Sequence, residues 1–434
     1  MSNTVKYRIR EQNELKSSGV EWLGDIPKSW HKSKMSYYYK AGMGQTILKE
    51  DLKDNGQIPV YSATAKDKFF GFVDDASILL FKDDLVIPAR GNSIGYVKLV
   101  KEISTTTQTT IYCKKISKSI YSEFIFYYMK GLKEKLFYFV QTAIPQITVN
   151  EVLSNSVLIP SLLEQQKIAN FLDERSKIFD DAISKKEQLI SKLEFAKQSL
   201  ISEVVTGKLR VIEQNSKLQT IKREENELNP SGVKWLGDIP KDWQVKKSKY
   251  LFEIRKRISG TLGFDVLSIT QKGIKIKDIT TGGGQLSMDY SKYQIVNIGD
   301  FAMNHMDLLT GFVDIAKSQG VTSPDYRVFT LTDKNSDSNY YLYLFQMGYK
   351  NQIFYAFGQG SSQLGRWRFP TEEFKKFSFP YPSITEQQKI SKYLDEKLIH
   401  FDNTIEKTKQ SIKKLKEAKE ALISQAVTGK IEVL

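Results

Sequence analysis

Arginine is the scarce cation of this chain: eleven of its 64 basic residues carry a guanidinium. A guanidinium is a planar fork of donors that matches paired acceptors on another molecule, so an arginine near a turn signal is a candidate for recognition. "ARGNSIG" places Arg90, Asn92 and Ser93 at a turn after a strand-like run, offering a fork for guanine and an amide for adenine. "EIRKRISG" supplies Arg255, Lys256 and Arg257, and "GSSQLGRWRF" supplies Ser361, Ser362, Gln363, Arg366 and Arg368. Lys66, Lys68, Gln108 and Gln146, and later Gln271, Lys272, Asn304 and His305, are second choices of the same kind. Every one of them also reads as part of a solvated, salt-bridging face. The lysines suit phosphates, which supply affinity without sequence choice.

Catalytic chemistry is hard to find, and no residue stands out as catalytic or metal-ligating. There is no G-x-x-x-x-G-K-[ST] loop, since the two "VTGK" tetrapeptides continue with leucine or isoleucine. An Asn/Asp-Pro-Pro-aromatic tetrad and an acid-acid-lysine nuclease pattern are missing as well. His31, His305 and His400 lie far apart without sequence-level partners, and Cys113 alone excludes an intramolecular disulfide or a cysteine-rich zinc site. The net charge of +14 favours a polyanionic partner. Nucleic acid is preferred over a membrane, because no apolar run approaches the ~20 residues of a span and the start lacks an apolar signal region. A reducing, cytoplasmic setting is expected.

The elements that must position such residues come twice. "SGVEWLGDIPKSW", Ser18 to Trp30, returns as "SGVKWLGDIPKDW", Ser231 to Trp243. Arg10, Glu11, Asn13, Glu14 and Leu15 recur 213 residues on as Arg223, Glu224, Asn226, Glu227 and Leu228. A second block, "IPSLLEQQKIANFLDERSKIFD" from Ile159, returns 222 residues on as "YPSITEQQKISKYLDEKLIHFD" from Tyr381, and "LISEVVTGKL" as "LISQAVTGKI". The intervening segment is therefore nine residues longer in the second half, and its two versions share little sequence.

The second block predicts a long helix. Ser161 with Glu164, and Ser383 with Glu386, read as capping boxes behind a proline. From there a seam of alternating four- and three-residue steps runs through Ile168, Leu172, Arg175, Phe179, Ile183, Lys186, Ile190, Leu193, Lys197, Leu200 and Val204. The second copy runs through Ile390, Leu394, Lys397, Phe401, Ile405, Thr408, Ile412, Leu415, Lys419, Leu422 and Ala426, with polar residues at the same three places. Gly207 and Gly429 are the expected C-caps. Each helix of ~40 residues needs a partner for its stripe; the alternatives are separate hairpins or the two helices on each other, antiparallel if an internal two-fold relates them. "Glu-Gln-Gln-Lys" reads as structural, an acid near a helix N-terminus. The variable segments, roughly 31 to 158 and 244 to 379, mix strand-like runs such as "SILLFKDDLVIPAR" and "YQIVNIGDFAMN" with turn signals at Asp54-Asn55-Gly56 and Thr281-Gly282-Gly283-Gly284. Each also holds an aromatic stretch, "YSEFIFYYMKGLKEKLFYFV" and "NYYLYLFQMGYKNQIFYAF", which at helical spacing is core or, alternatively, a base-stacking surface. Trp22, Leu23, Ile26, Pro27 and Trp30 are expected to fasten each variable segment to the helices.

Constant, variable, constant, and the same again: that order, with P-x-x-x-E-Q-Q-K-I, "LIS..VTGK" and "WLGDIP..W" in both halves, resembles the specificity subunit of type I restriction-modification enzymes over nearly the whole chain. The resemblance implies an α+β fold: target-recognition domains at 1–158 and 210–380, and spacer helices at 159–209 and 381–434 pairing as an antiparallel coiled coil in an internal pseudo-two-fold repeat. Each domain would read one half of a bipartite site in double-stranded DNA. The helices would set the gap and dock two methyltransferase subunits, to which restriction subunits add, through Leu172, Phe179, Ile183, Ile190, Leu193, Leu394, Phe401, Ile405, Ile412 and Leu415. No cofactor is expected in this chain; S-adenosylmethionine, ATP and magnesium would belong to the partners. The rival readings are a DNA-independent coiled-coil scaffold and a self-contained DNA-modifying enzyme.

Overall fold

The computed structural model describes residues 7–66, 68–137, 146–279, 289–360 and 367–434. The Thr281–Gly284 turn and residues 138–140 of the first aromatic stretch lie outside them. The chain divides into two compact units, the first of residues up to Glu187 together with Lys409–Leu434, the second Gln188–Thr408. Packing thus divides the chain in mid-helix, whereas the sequence segments 1–158, 159–209, 210–380 and 381–434 change at helix ends. Four helices of ten or more residues lie among the described residues: α1 (Ser122–Gly131), α2 (Leu162–Val205), α3 (Ser338–Lys350) and α4 (Ile384–Val427).

The long helices α2 and α4 run 44 residues each, about 66 Å at 1.5 Å per residue. All the seam positions named above are buried or half-buried, while the intervening faces are largely exposed. In the first unit the leading half of α2 meets the trailing half of α4: Ile168, Phe171 and Leu172 share a core with Ile423, Ala426 and Val427, and Asp180 pairs with Lys419 at 2.7 Å. The second unit repeats this with the roles exchanged. Ile390 and Leu394 share a core with Ile201 and Val204, and Asp402 pairs with Lys197 at 2.6 Å. Start against end in both units is antiparallel pairing, and it explains two of the polar seam positions: Lys197 and Lys419 each reach a carboxylate on the facing helix.

The helix starts differ from the expected capping box. The Ser161 and Ser383 hydroxyls accept the N–H of Glu164 and Glu386 at 3.2 and 3.3 Å. The glutamates, however, are taken by the lead-in: Arg10 meets Glu164 at 2.7 Å, and Arg223 meets Glu386 at 2.6 Å. A buried guanidinium competes successfully because it needs a charge partner, whereas the backbone donor at a helix start also has water. The next residue of Glu-Gln-Gln-Lys is fully buried. Gln165 accepts from Tyr121 N at 2.8 Å and donates to the Pro160 carbonyl at 3.0 Å; Gln387 accepts from Asp337 N at 2.8 Å and donates to the Pro382 carbonyl at 2.9 Å. That amide pins the start of α1 or α3 to the start of the long helix.

The lead-in also grips a helix end. Gly429 and Gly207 adopt left-handed φ of 70° and 78°, as C-caps do. A Cβ on Gly429 would meet Pro27 at 2.4 Å and Trp30 at 3.2 Å, and one on Gly207 would meet Pro240 at 2.5 Å and Trp243 at 2.9 Å. The repeated Pro and second Trp therefore sit directly on the glycine. Leu23, Ile26 and Trp30 are buried, as are Leu236, Ile239 and Trp243. Trp22 is the exception: it is 36% exposed, so it is no buried fastener, while its counterpart Trp235 stacks on Phe377 at 5.3 Å.

Between clasp and helix each unit builds one four-stranded sheet among the described residues. In the first, β1 (Tyr39–Met43), β2 (Leu85–Pro88), β3 (Lys98–Leu99) and β4 (Thr110–Lys115) lie in the order β1-β4-β2-β3; in the second, β5 (Phe252–Arg255), β6 (Phe301–Met303), β7 (Val313–Ile315) and β8 (Arg327–Leu331) lie in the order β5-β8-β6-β7. Even the register agrees. Ala41, Cys113 and Leu85 stand opposite one another in the first sheet, and Ile254, Phe329 and Phe301 in the second. The aromatic helices pack their rings inward: Phe124, Tyr127 and Tyr128 of α1, and Tyr340, Tyr341 and Phe345 of α3, are buried. They are core, not a stacking surface.

Candidate nucleic-acid interface

In the first unit, main-chain hydrogen bonds lace together the loops that carry the candidates. Thr107 N donates to the Tyr61 carbonyl at 2.9 Å, Ala89 N to the Thr109 carbonyl at 3.0 Å, and Ile147 N to the Ala89 carbonyl at 3.0 Å. The loop holding Lys66 and Lys68, the segment holding Gln108, the turn holding Arg90, Asn92 and Ser93, and the strand-like residue Gln146 are thereby neighbours. Arg90 and Gln146 stand opposite each other on an isolated antiparallel bridge. Lys66, Lys68, Arg90, Asn92 and Gln146 are exposed and Ser93 is half-buried. Gln108 is committed elsewhere, its carbonyl oxygen accepting from Ile47 N at 3.3 Å.

The second unit brings together fewer of its candidates. Gln271 and Lys272 form the exposed tip of a hairpin, Leu267–Thr270 with Gly273–Ile276. Gln271 reaches the Thr310 carbonyl at 3.4 Å, in the loop that follows Asn304 and His305. Phe369 N donates to the His305 carbonyl at 2.9 Å, bringing in Arg368. Ser361, Ser362, Gln363 and Arg366 lie outside the described residues. Arg255 is half-buried against Glu253 at 2.6 Å, and Arg257 pairs with the buried Asp300 at 2.6 Å. Arg257 is therefore part of the framework rather than a free reader. Lys256 between them is exposed.

Burial, then Arg327 and Arg368, push the His305 imidazole down to about 3, so it is neutral at pH 7. Sequence reasoning missed Arg327, which is 3% exposed, donates to the Phe369 carbonyl at 2.9 Å and lies over the Phe374 ring. It opens a strand straight after the turn through Ser323, Pro324 and Asp325, a signal that sequence reasoning passed over. Also missed was Gln359, opposite Arg368 on an isolated bridge.

Each unit also leaves a groove between its aromatic helix and the long helices. The first, of about 1290 Å³, is lined by Trp22, Phe126, Tyr127, Ile183, Lys419 and Ile423, among others. The second, of about 450 Å³, includes Tyr343, Leu398 and Ile399. Tyr127 donates to Asp173 at 2.5 Å in the first, and Tyr343 to Asp395 in the second. Among the described residues no cluster of three or more His, Cys, Asp or Glu could hold a metal ion, and no helix is long and apolar enough to cross a membrane.

A family model described as "Type I restriction modification DNA specificity domain" matches residues 27–194 and again 240–417. The chain is 24% identical to the type I restriction enzyme MjaVIII specificity subunit of Methanocaldococcus jannaschii, over 98% of this chain and 97% of that protein. It is 20% identical to the EcoDI specificity subunit of Escherichia coli, over 94% and 90%. A solved structure, described as the basis of complex assembly and conformational transition of the type I R-M system, shares the fold with a TM-score of 0.66 at 13% identity, covering 93% of this chain and 99% of that one.

Proposed function

Because the chain belongs to the type I restriction-modification DNA specificity family, two domains of which fill most of its length, we propose that each unit reads one half of a split sequence in double-stranded DNA and that the paired helices fix the gap between the halves. The chain is the specificity subunit of such a system. The observation that carries the reading is the pairing of one backbone lattice with two unrelated sets of loop side chains: Ala41, Cys113 and Leu85 are matched in register by Ile254, Phe329 and Phe301, while the loops beyond share little sequence. A reader of two different half-sites needs that combination.

The helix pair, with its two grooves, docks two methyltransferase subunits, to which restriction subunits add. The chain itself is non-catalytic and works in the cytoplasm. S-adenosylmethionine, ATP and magnesium are used by the partners. Exchanging residues 31–158 for the equivalent segment of a relative is the test: one half of the methylated motif changes and the other stays. Change in both halves, or no preference between DNA sequences at ~150 mM salt, where a specific reader exceeds its non-specific binding by ~10³ or more, would defeat the reading. Sustained methylation by the chain alone would point to a self-contained enzyme instead.

The gap is tested separately. One added heptad in each helix, between Ile183 and Leu193 and between Ile405 and Leu415, keeps the seam register and adds ~10.5 Å. The gap then widens by about one to three base pairs at 3.4 Å each, with unchanged half-sites.

A further inference from the structure

Of the eleven arginines, Arg366 lies outside the described residues, and eight of the other ten are used inside the protein. Six form ion pairs. Arg327 holds a carbonyl and Arg175 lies over the Phe171 ring. Among the described residues that leaves Arg90 and Arg368, one per unit, both exposed and neither in an ion pair or side-chain hydrogen bond.

Each faces a glutamine. Across an isolated antiparallel bridge Arg90 faces Gln146, and Arg368 faces Gln359, both exposed. Gln146 and Arg368 occupy the same place in their units. Each precedes a buried residue, Ile147 or Phe369, whose N–H bonds the carbonyl of Ala89 or His305 just beyond the central strand. Each is followed by the same six-residue helix, Val149–Ser154 or Thr371–Lys376. We propose that Arg90 with Gln146, and Arg368 with Gln359, are the base-reading pairs of the two half-sites, the guanidinium taking guanine and the carboxamide adenine.

This rests on the DNA-reading function above and names where that reading occurs. Side chains opposite each other on antiparallel strands stand ~4.5–5.5 Å apart, enough to address neighbouring base pairs that rise 3.4 Å. The roots of Arg90, Gln146 and Arg368 are fixed, because the adjoining Ala89, Ile147 and Phe369 are core residues. In the second unit Arg327 holds the Phe369 carbonyl and adds positive potential beside Arg368. Every other described arginine is engaged, six by a carboxylate and two by a carbonyl or a ring.

The experiment selects bound sequences from a randomised duplex library with the purified full chain and any subunits that copurify. Arg90→Lys and Gln146→Ala are expected to change the selected sequence at one or two adjacent positions of one half-site, with about tenfold or greater loss of preference there. Arg368→Lys and Gln359→Ala do the same in the other half. Because lysine keeps the charge, binding to unselected DNA stays within about twofold for both Arg→Lys variants, and melting temperatures stay put. If the wild type selects a split sequence but these variants select the same one, or Arg→Ala only weakens all sequences alike, the pairs hold phosphates or nothing and the proposal falls while the DNA reading stands. A wild-type chain that selects no sequence overturns both.

Discussion

In the first unit, strands from opposite ends of the sequence meet, Tyr7–Ile9 against Ile431–Val433; in the second, the corresponding strands are the arms of one hairpin, Leu209–Gln214 and Lys217–Lys222, turned by Asn215 and Ser216 at positive φ. The clasp above them is nevertheless the same in both: arginine to glutamate at one helix start, proline and tryptophan on the glycine of the other helix end. The difference goes deeper in the variable parts. Asp84 and Asp300 both precede the central strand and accept an N–H three residues back at 2.9 Å. Burial pushes the Asp84 carboxyl up, beyond what its backbone N–H partners offset. Burial acts the same way on Asp300, but Arg257, the Asn297 N–H and Thr330 hold its carboxyl below the usual carboxylate range. Position is set by the lattice; charge state is set by which side chain the variable sequence supplies next to it.

The largest way to break the symmetry is at the C-cap glycines. Gly207→Ala adds left-handed strain of ~1–2 kcal/mol to overpacking of ~1–3 kcal/mol against Pro240 and Trp243, roughly 2–5 kcal/mol in the second unit. Gly429→Ala is expected to do the same in the first. Denaturant unfolding followed by a probe in each unit checks it, and a cost in only one unit would mean the clasps are not equivalent.

Removing a clasp arginine comes next. Arg223→Ala removes the charge partner of Glu386, which keeps only the Trp243 indole N–H at 2.8 Å, and costs roughly 2–4 kcal/mol. Arg10→Ala costs less, roughly 1–2 kcal/mol, because its carboxylate partner and its own side chain are more exposed. Equal losses would contradict the burial difference.

The two aspartates separate the units by pH. Asp300, with its folded pKa depressed, contributes stability that is complete above the unfolded value near 3.9 and is lost as pH falls through the folded value. Asp84, raised, carries an ionisation penalty that builds as pH rises through its folded value. Acidification from pH 6 to 4 is therefore expected to strengthen the first unit at this site while leaving the second intact, and only below ~4 does the second weaken. Arg257→Ala costs the second unit roughly 1–3 kcal/mol at pH 7 and removes that acid-side loss. Hydrogen exchange of the two sheets against pH reads both, and weakening of the second unit between pH 6 and 4 would show the sign to be wrong.

The smallest effect sharpens the contrast at the hairpin. Asn215→Ala, at φ 54°, costs the second unit about 1 kcal/mol and the first unit nothing measurable by thermal melting.

Periodicity was enough to read the long helices, because a stripe such as Ile168, Leu172, Ile183 and its copy Ile390, Leu394, Ile405 can be buried only one way, and Gly207 and Gly429 announce their own left-handed caps. Duplication alone revealed the two-part design. Sequence could not say that Glu164 serves Arg10 rather than its own cap, or that Arg257 is held by Asp300, since those partners are 154 and 43 residues away and local spacing carries no sign of them. Nor could it align the variable segments. The sheet register holds through backbone hydrogen bonds and buried shape, which Cys113 and Phe329 satisfy equally well. The nine extra residues fall in two intervals, three between the first and second strands of the sheet and six between the aromatic helix and the short helix that follows. Only the folded chain places Gln146 and Arg368 at one address, and only there does it become visible that Arg90 and Arg368, alone among the described arginines, have been left without an internal partner.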